Sequence, residues 1–89
     1  MPGKFPLGHV VITPNAQEKV HAADIRPALT RHAWGDWGDV DEHDRQANES
    51  SLTHEARLFS VYHDRNKTKF WIITEADRSV TTVLLPEDY

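Results

Sequence analysis

The sequence predicts an α+β fold: an antiparallel sheet of about four strands, an N-terminal strand plus a C-terminal three-stranded meander, packed against two or three short helices. Three observations carry this expectation. A β-branched run, His9-Val10-Val11-Ile12, stands near the start. Residues 14–53 hold capping residues and apolar positions at helical spacing. Three further apolar runs, 57–63, 69–74 and 80–85, are separated by short polar turns.

Residues 1–7 hold Pro2, Gly3 and Pro6 and read as an irregular arm on a single domain spanning 1–89. The first strand stops at Thr13-Pro14, a cap followed by a proline at the first helical position, and a helix over about 14–22 is expected. Asp24 is a second cap candidate, with Pro27 placed in the first turn. Ile25, Ala28, Leu29 and His32 share one face, and Gly35 ends that helix. Asp39, Asp41 and Glu42 open a third helix, roughly 40–53, where acids complement the positive end of the helix dipole. In the meander, Phe70 and Ile72 point to one face and Trp71 and Ile73 to the other. Helices cover one face. The other requires the arm, a loop or a second subunit, or stays exposed for binding.

Composition narrows the function classes. The 89 residues include no cysteine, which excludes disulfides and thiolate metal sites. No apolar run approaches the length of a membrane span, and the proline-broken N-terminus is a poor signal peptide, so a cytoplasmic location is expected. The net charge of −4 is unevenly placed: residues 36–55 carry seven acids against Arg45 alone. No basic stripe supports direct nucleic-acid binding, whereas the acidic middle suits a basic protein partner. There is no P-loop, no GxGxxG fingerprint and no GxSxG elbow, and the length excludes a methyltransferase domain.

Two segments carry the candidate binding residues. In Arg31-His32-Ala33-Trp34-Gly35-Asp36-Trp37-Gly38-Asp39, His32 and Asp36 form a base–acid pair on paper, with Arg31 for an anion. The competing reading is a structural turn, with tryptophans on the sheet and aspartates as caps. In Thr74-Glu75-Ala76-Asp77-Arg78-Ser79, two carboxylates beside an arginine suit a phosphate, or else satisfy a turn. Trp37 and Asp39 of the first segment, with Asp41, Glu42 and Asp44 of the acidic stretch that follows it, complete the candidate binding set. A metal site would need convergence among His32, Asp36, Asp41, His43 and Asp44, whose spacing matches no zinc pattern. No catalytic residue, metal or cofactor is assigned.

Arg31-His32, Gly35-Asp36-Trp37-Gly38, Asp44, Asn48, Arg57-Leu58, Ser60-Val61-Tyr62 and the run WIITEADRSVTTVLLPEDY together resemble a family of small proteins carried by plasmids, prophages and other mobile elements. Its members are labelled "plasmid-related" or, in some cases, type I restriction endonuclease subunit M. The resemblance covers about residues 8–89 and leaves out the arm. It implies a bacterial cytoplasm and the contest between mobile DNA and host defence, where small proteins of anti-CRISPR or anti-restriction type act by binding. The expected partner is a host protein, such as a nucleic-acid-processing complex. The alternatives are a small metal-dependent or phosphate-processing enzyme and a structural homodimer or toxin–antitoxin-like component.

Overall fold

The structure, a computed structural model, describes residues 3–89. The chain runs β1 (His9–Ile12), α1 (Pro14–Lys19), α2 (Ala22–Ala33), α3 (Glu42–His54), β2 (Leu58–His63), β3 (Lys69–Thr74), β4 (Val80–Leu84) and a closing 3-10 turn at Pro86–Asp88. The four strands form one sheet in the order β1-β4-β3-β2. Of the expected arm, residues 1–2 lie outside the described residues; Phe5 is buried and Lys4 N–H donates to the Ala33 carbonyl, 2.7 Å, which ties the rest down.

The sheet is mixed, not antiparallel throughout. β2–β3 and β3–β4 pair antiparallel, as the short polar turns dictate, but β1 runs parallel to β4. The reason is the helical stretch between β1 and β2. It returns the chain to the end of the sheet from which β1 started, so β1 and β2 run in the same direction, as in any helical crossover. Two reversals in the meander then bring β4 back to that direction.

Local chemistry sets the helix ends. Thr13 caps α1, its Oγ1 accepting the Ala16 N–H at 3.1 Å, with Pro14 behind it. The helix stops at Lys19, three residues earlier than expected, because His21 takes the cap of α2: its Nδ1 accepts the Ala23 N–H at 3.2 Å. Asp24 is therefore not a cap. It sits in the first turn and grips Arg65, with Nη2–Oδ1 at 2.8 Å, which holds its carboxyl down at about 2. Pro27 lies inside α2 and not in the first turn. α3 begins one to two residues later than expected, on Asp41 as cap, and ends at Glu55 in the left-handed conformation.

The inner face of the sheet carries the main core: Tyr62, Phe70, Ile72 and Val83 against Ala16, Val20, Ile25 and Ala28. A second cluster joins Phe5, Trp37 and Leu58, with Leu7, Val40 and Leu52 against it. Among the described residues no α-helix covers the outer face. Phe59 packs edge-on to Trp71, and Trp71 to Tyr89, so aromatic rings lie over Val61, Ile73 and Leu84. Among the described residues no helix is long and apolar enough to cross a membrane.

Candidate functional site

His32 is fully buried, facing the sheet from α2. Its Nδ1 lies 2.5 Å from Ser60 Oγ and its Nε2 2.9 Å from Thr74 Oγ1. Thr74 Oγ1 lies 2.7 Å from Thr81 Oγ1, which donates to the Leu7 carbonyl at 2.6 Å. That last bond fixes the direction of the chain. The carbonyl can only accept, so Thr81 spends its proton there and accepts from Thr74. Thr74 in turn accepts from the imidazole. His32 is thereby the Nε2–H tautomer, and Ser60 donates to Nδ1. Burial, with the Arg78 charge adding to it, pushes the imidazole down to about 3, so the ring is neutral. A serine on a histidine nitrogen resembles a nucleophile–base pair, but both groups are fully buried and every hydrogen is committed within the protein. The rings of Phe5 and Trp37 pack edge-on against the imidazole at 5.2 and 5.7 Å.

The surrounding turn is built by structural contacts. Arg31 grips Asp36 with two bonds, Nε–Oδ2 at 2.7 Å and Nη2–Oδ1 at 3.2 Å, and lies 4.7 Å above the Tyr62 ring. The pairing raises the guanidinium further and lowers the carboxyl. The Tyr62 hydroxyl donates to the Asp36 carbonyl at 2.5 Å, and burial raises this phenol to about 12. Trp37 is buried and donates Nε1–H to Glu49, 2.8 Å. Residues 37–39 then run along β2: the Val61 N–H donates to the Trp37 carbonyl and the Asp39 N–H to the Val61 carbonyl. Asn48 of α3 does the same for Phe59, accepting its N–H at 3.0 Å and donating to its carbonyl at 2.6 Å. These bonds close the β2 edge of the sheet.

The remaining sequence candidates have separate duties. Asp39 pairs with His63 at 2.8 Å. Asp41 caps α3 by accepting the Asp44 N–H, and the Asp44 carboxylate stands in the acidic first turn. Glu42 pairs with Arg45, which holds its carboxyl down at about 2. Glu75 pairs with Arg57 at 3.6 Å. Asp77 accepts from the Ser79 N–H and hydroxyl, which lower its carboxyl. Arg78 donates to four carbonyls, of Ser51, Ala56, Glu75 and Ala76, and binds the end of α3 to the β3–β4 turn. Three of these bonds come from Nη1 and one from Nη2, so Arg78 acts as a clamp between these segments. Arg78→Ala should cost about 2 kcal/mol in urea unfolding, and Arg78→Lys should recover only part of it, since an ammonium cannot span four acceptors.

The charged side chains of the two candidate loops take different partners: Arg31 and Asp36 meet β2 at Tyr62, while Arg78 meets the chain at Ala56, before β2 begins. The loops meet through the core, where His32 bonds Thr74 and Arg78 lies 5.7 Å from the Phe5 ring that packs on His32. His32, Asp36, Asp41, His43 and Asp44 do not converge: among the described residues no group of three His, Cys, Asp or Glu side chains could hold a metal ion.

Two features escaped the sequence reading. One is the set of partners of His32. Ser60, Thr74 and Thr81 interrupt the apolar alternation at inner-facing positions, and that interruption was the available signal. The other is a groove of about 250 Å³ on the outer face, lined by Arg57, Phe59, Trp71, Ile73 and Tyr89. Arg57 forms its polar rim, donating to the Tyr89 hydroxyl at 2.8 Å and lying 5.5 Å from the centre of that ring. Compared with known proteins, the chain matches no family model, no curated protein and no solved structure.

Proposed function

We propose that this chain acts by binding a protein, as a small accessory of a mobile element that inhibits or modulates a host defence protein in the bacterial cytoplasm. The groove carries the reading. Phe59, Trp71 and Tyr89 offer aromatic surface on a sheet face without a helical layer, and an arginine sits at the rim. Aromatic residues and arginine are the side chains that dominate binding energy at protein interfaces. The acidic flank supports the same reading: Asp36, Asp39, Asp41, Glu42 and Glu49 are exposed and suit a basic partner. The mobile-element setting comes from the family resemblance of the sequence. An enzymatic reading finds less support, since His32 is sealed in the core and Arg78 is taken up by main-chain carbonyls through Nη1 and Nη2.

The test is capture of bacterial lysate proteins on the immobilised chain, beside Trp71→Ala and an Asp41→Lys/Glu42→Lys double variant of unchanged circular dichroism. A nucleic-acid-processing host protein should be retained, and at least one variant should weaken its retention by about tenfold or more. Retention of no such protein, or equal retention by all three chains, would refute the reading.

A further inference from the structure

The two edges of the sheet are treated in opposite ways. The β2 edge is closed by Asn48 and by residues 37–39. Among the described residues the β1 edge has no such cover. His9 N–H donates to the Ser79 carbonyl at 2.9 Å and Thr13 N–H to the Val83 carbonyl at 3.0 Å, in register with β4. In a parallel ladder the alternate residues turn both main-chain groups away from the partner strand. Val10 and Ile12 therefore present N–H and C=O outward from the sheet. Val10, Val11 and Ile12 are also 37, 37 and 38% exposed, three consecutive β-branched residues among the few large apolar side chains at the surface. No Lys, Arg, Asp or Glu interrupts His9–Ile12, so the usual guard against strand addition is missing.

We infer that β1 is a self-association edge, on which a second copy of this chain adds its own β1 antiparallel. The strand is complementary to itself. A two-fold axis through Val11 places Val10 opposite Ile12 of the second copy and Ile12 opposite its Val10. All four outward main-chain groups of each strand are then paired. Val11 meets Val11 on the outer face, while Val10 and Ile12 meet on the inner face. The result is an eight-stranded sheet with both grooves on one side. Its size sets the strength: four residues make an edge of only about 13 Å. That falls well short of the ~800 Å² per partner of a stable complex. The dimer is therefore a weak one, formed at high protein concentration. The inference stands apart from the binding function above.

Sedimentation equilibrium between about 10 μM and about 1 mM reads it directly, a range that spans weak association. The average mass should rise from 10.2 kDa toward twice that value. Amide exchange at Val10 and Ile12 should slow several-fold across the same range. Val11→Lys sets two like charges across the axis and should keep the chain at monomer mass, while Trp71→Ala on the outer groove should dimerise as the parent does. A monomer at all concentrations would overturn the inference. So would a dimer unaffected by Val11→Lys, one abolished by Trp71→Ala, or amide protection at Val10 and Ile12 that does not change with concentration.

Discussion

Acidification from pH 6.5 to about 4.5 should remove roughly 2–3 kcal/mol of stability through His32 alone. The unfolded imidazole titrates near 6.5, whereas burial holds the folded one at about 3. Below 6.5 the unfolded chain takes up a proton that the folded chain refuses. The stability is thus complete above 6.5 and declines as pH falls toward 3, by up to about 1.4 kcal/mol per pH unit. Carboxylates act in a lower range. Asp24, Asp36, Glu42 and Asp77 are all held below their ordinary values by partners, so their contributions fade only below about pH 4.5. In the interval between, His32 is the group whose lowered value sets the slope. Urea midpoints measured across it should show the slope in the parent chain and most of it gone in His32→Gln. Glutamine can still accept from Ser60 and donate to Thr74, so this variant should fold. His32→Ala leaves a cavity and strands Ser60 and Thr74, and should cost about 3–5 kcal/mol at neutral pH. That is a large share of the ~5–15 kcal/mol that holds a typical domain together. A slope that survives largely intact in His32→Gln would show that the acid sensitivity lies elsewhere.

The contrast between strands and site explains what a sequence of this kind discloses. The meander was legible because Phe70-Trp71-Ile72-Ile73 and Val80 to Leu85 are bounded by turn residues, and local signals suffice for antiparallel neighbours. The direction of β1 was not legible. It depends on where three helices set the chain down, which no window of β1 contains. His32 stands out in the sequence because imidazole is chemically conspicuous, and its apolar helical face places it toward the core. What could not be read was the identity of its partners, which come from three strands 28, 42 and 49 residues away in sequence, the first two in direct contact. The same holds for Arg78. Beside Glu75 and Asp77 it looks like an anion site, yet its acceptors at Ser51 and Ala56 are main-chain carbonyls, which any residue would supply. The outer groove draws Arg57, Phe59, Trp71, Ile73 and Tyr89 from separate segments, so only the folded sheet assembles it.

Gly38→Ala should be among the most damaging single substitutions in the chain, at about 4 kcal/mol or more. Gly38 has φ +74°, where a Cβ costs roughly 1–2 kcal/mol by itself. The larger part is steric. A Cβ at this position would stand 2.0 Å from the Val61 carbonyl oxygen and 2.8 Å from Tyr62 Cδ1. Neither can yield cheaply: the carbonyl belongs to a paired strand, and Tyr62 is buried in the core. The turn must therefore lift away from β2. That breaks the bonds between Val61 and residues 37 and 39, and it draws Trp37 off Phe5 and His32. It also uncovers the second edge of the sheet, so the variant should aggregate as well as unfold early. Gly35→Ala is the matched control. Its φ of +83° carries the same backbone cost, but its Cβ would meet only the flexible Lys4 side chain at 3.0 Å, so the loss should stay near 1–2 kcal/mol. Urea unfolding of both variants, with light scattering to follow aggregation, measures the difference. Equal losses at the two glycines would mean that residues 37–39 do not seal β2 as tightly as the 2.8 and 3.0 Å bonds to Val61 require.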